Sequence, residues 1–499
     1  MGLLGILVGL ALLVGFSYRG WTVLLLAPLA ALVAAALSGQ PLLAHWTQVF
    51  MPAAAGFLAQ FFPLFLMGAI FGKLMEDSGS VRAIAAFMTG WLGPRRALLA
   101  VVLAGAAVTY GGVSLFVAFF VLAPMAHAMF RAADLPPRLM PAAIALGTST
   151  FTMSALPGSP AIQNAIPMPF FGTTAFAAPG LGAIAAAIML GFGLWWLSVI
   201  EGRARRAGEG YRAAGAARDA STDPLLRERG NMAGHFDPAE LTPREAARTA
   251  TSAASSASAG SPSSPSAPGI VAAALPLGVV VLVNLVASLV VLPRLDTSYL
   301  AQARFGATSL TAVAGVWAVL IALFAANVVL VVLHRARLPD LKRSIDAGAN
   351  AAVLPVLSVA SLVGFGAVVA SLPAFADVQA WVLGLEGGPL VSLAVSTNLL
   401  AALTGSASGG LTIALEALGP SYLQLAQATG MDPALLHRVA VIGAGTLDSL
   451  PHNGAVVSLL AVCGCTHRES YRDIVMVGIV GALLALVAVI ALGGMFGSF

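Results

Sequence analysis

The chain has 499 residues, of which 59% are hydrophobic and 9% are charged, and its mean hydropathy is +0.92. Soluble domains carry about 25% charged residues, so the composition excludes them and predicts a membrane protein with many spans. The formal net charge is +4, and the basic residues lie between apolar runs rather than in one patch, which excludes a nucleic-acid partner.

The first predicted element is the apolar run 1–15. It lacks the basic flank and the small-residue cleavage site of a signal peptide, so it predicts a membrane helix. Further along, the segment 73–96 carries four basic residues. Short basic loops stay in the cytoplasm, so we expect this segment on the inside.

Two apolar stretches follow, 97–130 and 139–171, and after them the uncharged segment 172–180 predicts an outside loop. The chain must therefore cross the membrane an odd number of times between 96 and 172. The simplest solution makes 97–130 a re-entrant hairpin that turns at 110–112. The stretch 139–171 is then a crossing helix that breaks at Pro157-Gly158.

The segment 201–269 differs from the rest of the chain. Its charged part holds nine basic and eight acidic residues of the 46 in the chain, and a Ser/Ala/Pro/Gly-rich stretch follows. Such a segment cannot bury enough apolar surface to fold alone, which predicts a disordered linker between two transmembrane domains, 1–200 and 270–499. Three arginines follow residue 200 and predict that the linker is cytoplasmic.

The second half contains the same kinds of element in the same order. After three predicted helices, at 270–292, 308–333 and 347–371, the segment 372–390 has no Lys or Arg. We then expect a hairpin over 389–427 that turns at 404–410, and a helix over 437–462 that breaks at 448–454.

The second half also repeats the first 294 residues later. Phe71-Gly72 recurs as Phe365-Gly366, and Leu156-Pro157 recurs as Leu450-Pro451. The basic segment 73–96 then corresponds to a segment without Lys or Arg, so the two copies must be oppositely oriented. The predicted fold class is an all-α polytopic membrane protein with two inverted-topology repeats. It has about ten transmembrane helices, two re-entrant hairpins and two broken helices, with both termini outside.

Gly/Pro interruptions at matching places in two halves are a sequence sign of a transporter's binding site. None of the 25 Lys and Arg residues falls in them, so an anion there would be held by backbone N–H groups and hydroxyls. The alternative is that these small residues only allow close helix packing. The residues that we expect to bind substrate are Gly111, Gly112, Ser114, Ser149, Ser159, Thr404, Ser406, Ser408, Ser449 and Asn453.

Two ionisable residues lie in the second-half break. An acid at membrane depth is costly and suggests function, so Asp448 is the candidate proton carrier, and its repeat counterpart is Ser154. His452, four residues later, is the second candidate because histidine titrates near neutral pH. The alternative is that Asp448 only caps a half-helix and that His452 only forms hydrogen bonds within the break.

These residues also carry a family resemblance. The stretches 71–79, 404–410, 447–454 and 463–473 resemble the gluconate permease family of the ion-transporter superfamily, and a hydroxybutyrate or carboxylate permease branch of it more closely. The resemblance implies a homodimeric, proton-coupled symporter for an organic acid in the bacterial inner membrane. It assigns binding roles to Ser114, Ser159, Asn164, Ser406, Ser408, Asp448, His452 and Asn453. The 448–454 sequence and the long linker favour a hydroxy or keto acid smaller than a sugar acid.

The functional prediction is therefore uptake of a small carboxylate, such as gluconate or 3-hydroxybutyrate, with protons by alternating access. Sodium coupling is the main alternative, since the Gly/Ser turns have carbonyls that also bind Na⁺. A channel is a weaker alternative. An intramembrane hydrolase is weaker still, because Ser449 and His452 have no third group to orient them. We expect no enzyme activity, no cofactor and no metal site, and reduced thiols at Cys463 and Cys465.

Overall fold

The computed structural model describes residues 2–17, 21–113, 115–211, 268–451 and 453–499. Every regular element within these ranges is helical, as predicted for an all-α membrane protein. Residues 212–267, most of the predicted linker, lie outside the described residues. The beginning of the predicted linker lies within them, because the helix expected to end at residue 200 continues to Arg206. Glu209 then forms an ion pair with Arg138 on the first half (2.8 Å).

The helices described in the first half are numbered α1 to α11 in chain order. They are α1 (Gly2–Ser17), α2 (Val23–Leu37), α3 (Leu42–Asp77), α4 (Ser80–Leu92), α5 (Ala97–Tyr110), α6 (Leu115–Ala132), α7 (Met140–Thr148), α8 (Phe151–Ser154), α9 (Ile162–Ala165), α10 (Pro167–Phe171) and α11 (Pro179–Arg206).

The helices described in the second half are numbered α12 to α20 in chain order. They are α12 (Ile270–Arg294), α13 (Leu310–His334), α14 (Leu341–Ser371), α15 (Phe375–Leu383), α16 (Gly388–Thr404), α17 (Ala407–Thr429), α18 (Pro433–Thr446), α19 (Gly454–Val462) and α20 (His467–Phe496).

Six of the described helices are long and apolar enough to cross a membrane alone, namely α3, α11, α12, α13, α14 and α20. Helix α4 and the segment Pro94–Tyr110 form a pair bent by 105°, which is typical of a broken span or a re-entrant loop. Four shorter apolar helices are also described, Gly2–Leu13, Val23–Leu37, Val117–Ala132 and Gly388–Thr404. The predicted number of about ten crossings stays a prediction, and so does the opposite orientation of the halves.

Helix ends in the two halves correspond at the offset found in the sequence. The end of α5 at Tyr110 matches the end of α16 at Thr404, and the end of α3 at Asp77 matches the end of α14 at Ser371. The segments 73–96 and 372–390, which we expected to be loops, each contain a helix, α4 and α15. In α4 the apolar side chains of Val81, Ile84 and Ala85 are buried, so packing favours a helix there.

Helices α3 and α14 pack along each other at the centre of the protein. They approach closely, since a Cβ on Gly348 would lie 2.8 Å from Ile70 Cα. Helix α14 is the most buried of the long helices, with 78% of its apolar window inside the protein. The interrupted segments of both halves lie against these two helices.

The α16–α17 hairpin has an equally close contact. A Cβ on Gly410 would collide with the backbone of Ala401 across the hairpin. Backbone cannot move aside as a flexible side chain can, so we expect Gly410→Ala to destabilise the protein by about 1–3 kcal/mol. Gly278→Ala is the matched control, because nothing lies within 4 Å of a Cβ there. Thermal unfolding in detergent measures both variants, and an unchanged midpoint for Gly410→Ala would contradict the hairpin contact.

Candidate functional site

The turn between α5 and α6 contains a glycine with positive φ and is joined to the first-half break by a hydrogen bond. Gly112 has φ +97°, a conformation that side chains rarely adopt, so the turn requires glycine there. The Tyr110 hydroxyl donates a hydrogen bond to the Pro157 carbonyl (2.7 Å), which joins the end of α5 to the break between α8 and α9. The first predicted hairpin tip and the first predicted break therefore lie in contact.

The turn between α16 and α17 combines a glycine with a helix cap. Gly405 ends α16 with φ +64°, and Ser406 then starts α17 by accepting a hydrogen bond from the Gly409 N–H (3.2 Å). The Ser406 and Ser408 hydroxyl oxygens lie 3.3 Å apart. A helix N-terminus with two hydroxyls is a favourable place for negative charge.

Asp448 joins this turn to the second-half break. Its Oδ1 accepts a hydrogen bond from the Ala407 N–H (2.8 Å) and another from Asn453 Nδ2 (2.6 Å). The same Asn453 amide group donates to the Gly405 carbonyl (2.9 Å), and its Oδ1 caps α19 through the Ala455 N–H (2.7 Å). The carboxylate thus sits at the start of α17, where the helix dipole favours its charge.

A cavity of about 90 Å³ lies between the two halves. Its apolar wall comes from α3, α13 and α14, for example from Phe65, Leu323 and Val359. Its other side is formed by the interrupted segments, with Gly112 from the first turn, Pro160 from the first break and Ser408 from the second turn. Both halves therefore contribute to one cavity.

The polar groups that line this cavity are neutral. They include the side chains of Thr109, Gln163 and Ser408. The Thr109 hydroxyl donates to the Gly105 carbonyl (2.8 Å), whereas the Gln163 Oε1 is buried without a hydrogen-bond partner among the described residues. Gln163 is only 6% exposed, and a buried polar atom without a partner is costly. A ligand in the cavity can supply the missing partner.

Gly112 and Ser408 are the predicted residues that line the cavity, and Ser406, Asp448 and Asn453 form the network directly behind Ser408. The other predicted residues in the described chain do not line it. Two of them pack against other residues, Gly111 on Leu277 and Ser449 on Gly478. The others form hydrogen bonds elsewhere: Ser149 with Thr148, Ser159 with the Ala161 N–H, Asn164 with Ser159, Ala175 and His437, and Thr404 with Leu400 and Ser406. Ser114 and His452 lie outside the described residues.

The structure also shows residues that the sequence reasoning missed. Gln163 lies just beyond the first break, and the matching position in the second half is Val457, so the repeat does not require a polar residue there. The repeat counterpart of Asp448 was also found to differ, so the same comparison was available for Gln163. His437 was also missed. Its Nδ1 accepts from the Thr173 hydroxyl (2.6 Å) and its Nε2 donates to Asn164 (3.1 Å).

Apolar spans, helices interrupted at matching places and a cavity shared by the two halves define a multi-pass membrane transporter. The comparisons agree, since the "Uncharacterized transporter YxjC" of Bacillus subtilis (strain 168) is 39% identical over 99% of this chain and 100% of its own length. The family model described as "GntP family permease" matches residues 1–174. The chain belongs to the GntP permease family, and it is therefore a transporter and not an enzyme.

A solved structure shows a similar fold. It is described as "Crystal structure of the Alcanivorax borkumensis YdaH transporter reveals an unusual topology", and it aligns with a TM-score of 0.50 at 16% identity. The alignment covers 89% of this chain and 87% of the other. At this identity the likeness concerns the fold alone.

Proposed function

We propose that the protein takes up a small organic carboxylate together with protons by alternating access. The observation that carries this proposal is the cavity between the halves, lined by neutral groups from the turns of both halves and from the first-half break. Ser408 lines it, and Asp448 bonds to the adjacent Ala407 N–H. A substrate anion at Ser408 and a proton on Asp448 would therefore both act on the turn between α16 and α17.

The size of the cavity supports a short acid. A cavity of about 150 Å³ holds benzene, so about 90 Å³ suits a substrate of a few carbons better than a six-carbon sugar acid. Hydroxyls and helix N-termini bind a carboxylate without a buried positive side chain. Protonation of Asp448 lowers the net charge of the loaded site, which makes its movement across the membrane less costly.

The membrane and assembly belong to the same proposal. A bacterial inner membrane is proposed because the GntP family and the Bacillus relative indicate a bacterial permease. The basic segments 73–96 and 203–206 favour the inside and so support a cytoplasmic location for the linker. The family resemblance also supports a homodimer. In it, one part of each protomer would move against the helices that form the dimer contact.

Transport by the purified protein in liposomes tests the proposal. With an inward proton gradient, we expect 3-hydroxybutyrate or a similar short hydroxy or keto acid to accumulate, and an uncoupler to abolish the accumulation. Gluconate is the larger comparison substrate, and a sodium gradient without a pH gradient tests the alternative ion. Accumulation driven by sodium alone would overturn proton coupling. Equilibration without accumulation under either gradient would indicate a channel and overturn the proposal.

A further inference from the structure

Arg438 is a buried positive charge that the proposed transport cycle does not use. It lies in α18 with 0% of its surface exposed, and its guanidinium points to backbone carbonyls of the first half. Its Nε and Nη2 donate to the Ala177 carbonyl (3.1 and 2.6 Å), and its Nη1 donates to those of Ala155 (3.2 Å) and Ser154 (3.4 Å).

The partners of Arg438 are unusual for a buried arginine. No acidic side chain lies within ion-pair distance of it in the described part of the chain. Burying a charge is costly unless other groups compensate it, and here the compensation comes from carbonyl dipoles at the end of α8 and in the segment 172–178. Converging carbonyl oxygens are also the ligands that hard metal cations take in proteins. The guanidinium therefore occupies a position suited to a bound cation.

The repeat makes this arrangement asymmetric. The position that matches Arg438 in the first half is Ile144, and the position that matches Ser154 in the second half is Asp448. Arg438 donates to the Ser154 carbonyl itself. Arg438 thus brings a positive charge to Ser154 in the first half, and the residue that matches Ser154 in the second half is the acid Asp448.

We propose that Arg438 is a tethered cation that fills a carbonyl-lined cation site in the first-half break. Removal of the side chain should leave a site that binds a monovalent alkali cation. A further consequence rests on the proposed function: with this site permanently filled, the coupling ion can act only at the second-half break, where Asp448 lies.

Thermal unfolding of the purified full chain tests this assignment without any transport. Arg438→Ala should lower the unfolding midpoint in choline chloride, because three carbonyls lose their donor. Replacing choline with sodium or lithium at equal ionic strength should then raise the midpoint of this variant by about 5 °C more than that of the wild type. A role limited to packing would give no cation-specific recovery.

Three further variants make the test decisive. Arg438→Lys keeps a tethered cation and should need no added sodium, whereas Arg438→Met fills the space without charge and should be destabilised in every salt. Arg294→Ala removes an exposed arginine that also donates to a carbonyl, that of Val290 (2.8 Å), and should show no sodium effect. If Arg438→Ala does not fold, lower stability of Arg438→Met than of Arg438→Lys decides the question.

Equal stability of the Lys and Met variants would overturn the proposal, and so would a folded Arg438→Ala protein that responds to sodium no more than the wild type does. These outcomes are separate from those of the transport experiment. If the wild type fails to accumulate carboxylates, the Arg438→Ala variant can still show sodium-specific recovery of its unfolding midpoint. If the wild type does accumulate them, the variant can still lack that recovery.

Discussion

Replacing Asp448 with Asn is expected to abolish proton-driven accumulation while leaving exchange of substrate across the membrane in place. The substitution keeps an oxygen that accepts the hydrogen bonds of the Ala407 N–H and of Asn453, so the turn and the break should stay joined. It removes the negative charge and the group that takes up a proton. The substitution should therefore keep the local hydrogen bonds and remove the ability of residue 448 to carry a proton.

The expected effect is large. A gradient of one pH unit is worth about 1.4 kcal/mol per proton, or about a tenfold accumulation, and all of it should be lost in the variant. Steady-state uptake into liposomes measures accumulation, and counterflow of labelled substrate measures exchange. Asp377→Asn is the matched control, since the same change is made at an exposed position near the start of α15.

Two results would contradict the role of Asp448. Wild-type accumulation by Asp448→Asn would show that the proton is carried elsewhere. Loss of both accumulation and exchange, with normal thermal stability, would instead assign the carboxylate to substrate binding. The structure makes the first result the sharper test, because the capping role of Asp448 at α17 is preserved by asparagine.

The interruptions of the helices were predictable because their causes are local. Glycine at 112 and 405 ends or turns a helix through its own backbone conformation, and Pro157 lacks the N–H that a helix needs. Residue type and spacing therefore located both turns and both breaks to within a few residues. The helices α4 and α15 were missed because loop assignment rested on charge, which reports the side of the membrane and not the backbone conformation.

The contacts between interruptions were not predictable in the same way. Asp448 was recognised as an acid in a break, but its bond to the Ala407 N–H joins residues 41 positions apart and depends on how α16 and α17 pack. Arg438 lies within a regular helix, and its carbonyl partners are more than 260 positions away. Gln163 is neutral, so a search for ionisable groups in the breaks passed over it despite its unlike repeat counterpart, and only the cavity showed its unpaired oxygen.

Gln163→Glu is expected to reduce carboxylate affinity by about 100-fold or more. The new side chain has nearly the same volume, but it places a negative charge in the cavity where the substrate anion binds. Like charges brought together away from water cost several kcal/mol, and each 1.4 kcal/mol is about a factor of ten in affinity. Gln163→Ala removes the amide without adding charge and should cost about tenfold, which is the scale of one hydrogen bond.

Thermal-shift or calorimetric titration with a short carboxylate measures these affinities at several pH values. Protonation of the introduced Glu removes the repulsion, so the affinity of Gln163→Glu should recover as the pH is lowered, whereas that of Gln163→Ala should not recover in this way. Gln302→Glu makes the same change in an exposed loop and should bind like the wild type. If Gln163→Glu bound carboxylates as tightly as the wild type at neutral pH, the cavity between the halves would not be the substrate site.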